Sequence, residues 1–141
     1  MKSTTQPRTT APASSLTLAD VLTVVAWPDA AVDNQPGSIE TASNDALIWM
    51  TPIVGTIGMV CANRWASYAA SGPTSWSVED IARTFGIGQS VSRVVHTLDR
   101  LERYGLIRRE SRMIGVRLWL PKLNAHQLAQ LPDYLAYVYP G

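Results

Sequence analysis

The apolar positions change period twice between residues 74 and 121. Over 77–85, Ile81, Ala82 and Phe85 sit on one side of a short helix that begins at Ser77 with Glu79 and Asp80 in its first turn. Acids there favour the positive end of the helix dipole. Val91, Val94, Val95, Leu98 and Leu101 then recur three and four apart, which predicts a longer helix over 90–104. Between the two, Gly86-Ile87-Gly88 forms a turn, because glycine accepts the positive φ of a sharp corner. Gly105 ends the second helix, and Val116, Leu118 and Leu120 alternate with Arg117 and Trp119. Period two marks a half-buried strand, so 106–121 reads as a hairpin turning over Ser111-Arg112-Met113.

Upstream, Ile53, Val54, Ile57, Cys61, Trp65 and Tyr68 share one side of a helix. Thr51 as N-cap and Pro52 at the first helical position predict its start, and Ser71-Gly72-Pro73 its end. Gly55 and Gly58 weaken it intrinsically and are read as permitting close packing. Asp45 to Met50 forms a short apolar entry. Leu18, Val21, Leu22 and Val25 predict a short helix at 16–27, with a strand as the alternative that its valines and threonines allow. Residues 28–44 are polar with Pro and Gly and read as a linker, and 1–15 lack the apolar bulk to order themselves. After the hairpin, Asn124 caps a helix to Leu131 and Pro132 breaks it. The aromatic end with Tyr134, Tyr137 and Tyr139 folds back on the domain or pairs with a second subunit, the first being favoured. The expected division is a flexible tail over 1–43 and a folded domain over 44–141. The expected class is mainly α with a small β-hairpin, a winged helix-turn-helix.

Charge sharpens this outline. The chain of 141 residues has a net charge of only +1. Residues 74–122 hold eight arginines and Lys122 against five acids, a balance of +4, whereas 1–73 balance at −2. Arginine's planar fork suits phosphates and guanine edges. The most apolar run, 53–61, is broken by Gly55, Thr56 and Gly58 and is too short for a membrane span. No apolar stretch directly follows the basic N-terminus, and the single Cys61 cannot form an internal disulfide. Both point to a cytoplasmic protein.

The residues opposite the apolar stripe of 90–104 carry the functional expectation. Gln89, Ser90, Ser92, Arg93, His96, Arg100 and Arg103 form the candidate DNA-binding face, joined on the hairpin by Arg109, Arg112 and Arg117. Gln and Arg near the helix start can make two-pronged contacts to adenine and guanine, and Arg100 and Arg103 are assigned to phosphate. Asp99 and Glu102 flank the stripe and are expected to pair with neighbouring arginines.

Residues 90–109 resemble the recognition helix and first wing strand of MarR-type bacterial winged-helix regulators. Leu101-Glu102, Gly105-Leu106-Ile107 and Arg109 carry the likeness. From Trp49 to Pro132 the chain is similar to actinobacterial winged-helix proteins through Pro52 to Gly55, Leu98 to Leu101, Val116-Arg117 and Leu131-Pro132. The resemblance implies a small transcriptional regulator that reads the major groove of double-stranded DNA with 90–104 and contacts phosphate with 106–121. The long dimerising helices that flank the MarR-type domain have no evident counterpart here.

The rival expectation is a winged-helix protein-interaction or scaffold module without specific DNA binding. A homodimer would use the aromatic C-terminal segment or the N-terminal helix. No enzyme is expected. His96 and His126 lie far apart, no Cys or His cluster has metal spacing, and Gly86-Ile87-Gly88 lacks the lysine of a phosphate loop. No cofactor or metal is assigned.

Overall fold

The strand β1 (Val21–Trp27) runs through the middle of the sheet around which the helices pack. The computed structural model describes residues 16–140. Within β1, Leu22 and Val24 are buried while Val21 faces solvent, the alternation of a strand with one covered face. The helix expected at 16–27 is therefore replaced by its alternative. Its apolar spacing fits both periods, and the β-branched Val21, Thr23, Val24 and Val25 lose side-chain freedom in a helix that they keep in a strand.

β1 pairs antiparallel with β3 (Thr74–Ser77) and parallel with β5 (Met113–Arg117). β5 pairs antiparallel with β4 (Ile107–Glu110), so the sheet order is β3-β1-β5-β4. The small β-hairpin of the expectation is thus one side of a four-stranded mixed sheet. A second ladder joins β2 (Ile39–Glu40) to β6 (Trp119–Leu120). The segment 16–43 belongs to the folded unit and is not a flexible tail. Backbone hydrogen bonds from Val78 to Asp20 and from Glu79 to Leu18 fasten its start. The disorder expected over 1–15 lies outside the described residues.

The single helix expected from Thr51 to Ala70 is two. α1 (Asn44–Val54) is capped by Ser43, whose hydroxyl accepts from the Ala46 N–H at 3.2 Å, and Pro52 lies inside it. Gly55 then leaves helical space at φ 100° and α2 (Thr56–Ala69) begins. The other glycine behaves as expected: a Cβ on Gly58 would stand 3.3 Å from Val54 and 3.4 Å from Leu101.

α3 (Val78–Thr84) starts at Ser77, whose Oγ accepts from the Asp80 N–H at 2.9 Å. Gly86 turns the chain at φ 68°, and α4 (Val91–Arg103) follows. Trp65, Ile81, Leu98, Leu101, Leu106, Ile107 and Ile114 are almost wholly buried together between helices and sheet. Trp65 meets Trp76 and Phe85 edge-on at 6.0 and 5.9 Å, an arrangement aromatic rings favour.

The C-terminal segment folds back. Asn124 and Gln127 form a reciprocal cap at α5 (Ala125–Leu128), and α6 (Asp133–Val138) follows. The Tyr139 hydroxyl accepts from the Leu123 N–H at 2.8 Å, and its ring stands edge-on to Trp49 at 5.1 Å. Tyr134, Tyr137 and Val138 remain exposed.

Candidate nucleic-acid interface

α4 owes its orientation to its apolar stripe. Val94, Val95, Leu98 and Leu101 are buried, so Ser92, Arg93, His96, Arg100 and Arg103 face solvent, as does Gln89 in the preceding turn. Ser90 is the N-cap, and its Oγ accepts from the Arg93 N–H at 3.4 Å and lies 3.1 Å from the Ser92 hydroxyl. Ser90 is therefore engaged in the helix start more than in an outward surface.

The candidate arginines fall into two groups. Among the described residues, Arg93 and Arg103 enter no ion pair and no side-chain hydrogen bond. The others are engaged within the chain. The Arg100 Nε donates to the Val54 carbonyl at the end of α1, and its guanidinium lies 5.4 Å from the centre of the Tyr104 ring. It satisfies one of the orphan carbonyls of that helix end. Arg109 donates to Glu102 at 2.7 Å and also to Asp99. Burial works against its charge, but the hydrogen bonds it donates to Glu102 and then to Asp99 outweigh that and hold it charged. The pairing expected for Asp99 and Glu102 is thus made, with Arg109 as the cation.

The two remaining hairpin arginines meet residues of the N-terminal segment. Arg112 pairs with Asp20 at 3.2 Å. The Arg117 Nη1 donates to Asp29 at 2.8 Å, its Nε donates to the Gly105 carbonyl at 2.8 Å, and its guanidinium lies 3.9 Å from the centre of the Trp27 ring. With only 17% of its side chain exposed, Arg117 is a packing residue. Arg108, which the sequence reasoning left off the candidate face, is exposed and covers the same tryptophan at 4.9 Å. Trp27, Asp20 and Asp29 were not recognised as partners of the hairpin because they lie in a segment read as tail and linker.

These contacts fix the local electrostatics. The Asp20 carboxyl is held below the ordinary carboxylate range first by the Thr17 N–H and then by Arg112. Asp29 is held down first by Arg117 and then by the Ala31 N–H. Along α4, Arg109 offsets the two acids that flank the exposed stripe. What stays outward is Gln89, Ser92, Arg93, His96 and Arg103, with Arg100 beside them held from below.

Elsewhere the chemistry is sparse. Burial pushes the Cys61 thiol well up, which leaves it unreactive. Among the described residues no group of three or more His, Cys, Asp or Glu is placed to hold a metal ion, and no helix is long and apolar enough to cross a membrane. No protein-family model, curated protein or solved structure gives a significant match to the chain.

Proposed function

We propose that the chain is a winged helix-turn-helix DNA-binding protein, a small regulator of the kind its sequence resembles, and that α4 enters the major groove. The order α2, β3, α3, turn, α4, β4, β5 supports the fold reading, with β1 as an added strand between β3 and the wing strand β5. The observation that carries the functional reading is the exposed pair Arg93 and Arg103, without an ion pair among the described residues, with Gln89, Ser92 and His96 on a helix anchored by its opposite side. Donors on one face of a rigid helix suit base edges and phosphates.

The wing has a smaller part in this proposal than the sequence alone implied. Arg109, Arg112 and Arg117 are committed to internal partners, so phosphate contact falls to Arg103 and the exposed Arg108. The test is binding to labelled duplex DNA by fluorescence anisotropy. Arg93→Ala is expected to weaken binding and to reduce discrimination between sequences, while Arg117→Ala is expected to lower stability with DNA affinity per folded molecule unchanged. Equal affinity of wild type and Arg93→Ala would sink the proposal.

A second reading, a protein-contact module, is favoured by the exposed Tyr134, Tyr137 and Val138 on α6. Replacing all three with serine is expected to leave DNA binding intact under the first reading and to abolish self-association or partner capture under the second.

A further inference from the structure

The two hairpin arginines that meet the N-terminal segment are held in different ways. Arg117 is packed: it lies against the Trp27 ring, donates to the Gly105 carbonyl and leaves only 17% of its side chain exposed. Arg112 is held by one partner. Its Nη1 stands 3.2 Å from the Asp20 carboxylate, its side chain is 42% exposed, and among the described residues it enters no other ion pair. We propose that Arg112 is a latent phosphate-binding residue at the tip of the wing, and that Asp20 masks it and so limits the sequence-independent affinity for duplex DNA. The proposal rests on the DNA-binding reading of α4.

The tip lies where a duplex seated on α4 would meet it. At the C-terminal end of α4 the Leu106 N–H donates to the Leu101 carbonyl at 2.9 Å. Arg109, further along β4, reaches back to Glu102 and Asp99. β4 therefore runs back along α4 toward the half of the helix that carries Arg93, and the turn at Ser111-Arg112 lies further in the same direction. A guanidinium at that turn suits a backbone phosphate beside the groove that α4 occupies.

Asp20 is fixed beside Arg112 before any DNA arrives. Its Oδ2 accepts from the Thr17 N–H at 2.7 Å while its Oδ1 faces Arg112. Its own N–H donates to the Thr17 carbonyl at 3.2 Å, and its carbonyl accepts from the Val78 N–H at 2.9 Å. An exposed ion pair of this kind adds little to stability. Its effect on a polyanion is larger, because each cation engaged with phosphate contributes about one unit to the logarithmic salt slope. A phosphate contact carries no sequence information, so masking Arg112 lowers affinity for all duplexes alike and leaves base readout to α4.

The test is fluorescence anisotropy on a duplex of random sequence across a salt series, with affinities taken per folded molecule. It compares the wild type, Asp20→Asn, Arg112→Ala and the double variant. Asparagine keeps an oxygen for the Thr17 N–H and removes the charge. Asp20→Asn is expected to bind about fivefold more tightly at low salt, with a salt slope steeper by roughly 1. In the Arg112→Ala background the same substitution is expected to leave the slope unchanged and to raise affinity less than about twofold, since only the repulsion between Asp20 and DNA is relieved there. The Arg112 Nε–H resonance is expected to shift on addition of DNA in Asp20→Asn and to stay in place in the wild type. Parallel salt lines for the wild type and Asp20→Asn while both bind, or the same gain in both backgrounds, would overturn the masking and leave the reading of α4 standing. No binding by either protein at low salt would overturn both.

Discussion

Arg93 and Arg100 lie two turns apart on α4 and share its outward side, yet among the described residues only the Arg100 side chain is engaged, at the Val54 carbonyl. Arg93→Ala is predicted to cost about 1–3 kcal/mol of DNA binding while the melting temperature stays where it was. Arg100→Ala is predicted to behave in the opposite way, lowering stability by roughly 1 kcal/mol, since the Val54 carbonyl loses its donor. Thermal denaturation and anisotropy on the same samples separate the two. Helical spacing revealed which residues face outward, because burial of Val94, Leu98 and Leu101 determines it. It did not reveal which outward residues are engaged, because the partner of Arg100 is a backbone carbonyl at the end of another helix. Arg109 is a third case. Arg109→Gln is predicted to weaken DNA binding without any lost contact to DNA, by leaving Asp99 and Glu102 uncompensated beside Arg103. High salt should shrink that difference.

At the scale of elements, the two helices and the hairpin of 74–121 were legible because their apolar period is strong and their caps and glycines mark the ends. β1 was not. Its seven residues satisfy a helical and an extended pattern equally well, and what selects the strand is the gap between β3 and β5 that it fills. Val24, fully buried at the centre of that strand, should tolerate no charge. Val24→Asp is predicted to unfold the domain, seen as loss of the far-ultraviolet helix signal, because a buried carboxylate there has no partner. The break at Gly55 was likewise hidden: glycine was read as a packing residue, whereas φ 100° and ψ 155° make it the joint between α1 and α2. Gly55→Ala is predicted to cost about 1–3 kcal/mol, since a residue with a Cβ is strained in that conformation. Chemical denaturation measures it.

For the molecule as a whole, the N-terminal segment and the hairpin are joined by charge as well as by β1. Asp20 and Asp29 stand on one side, and Arg112 and Arg117 on the other. Both carboxyls are held below their ordinary range, so their contribution is complete above the unfolded value of about 4 and is lost as the pH falls through the lower folded values. Melting temperature should therefore fall as the pH drops below about 4, and less steeply in Asp29→Asn than in the wild type. The same pairing leaves the outward positive charge concentrated on α4. Duplex DNA affinity as a function of salt, compared between the wild type and the Arg93→Ala/Arg103→Ala double variant, addresses that most directly. The account predicts that the wild type binds at low salt and that the logarithmic salt slope of the variant is shallower by roughly 1, the share of the phosphate-directed Arg103, with a further loss of affinity from Arg93. Two parallel lines, or no retention of the wild type at low salt, would contradict it.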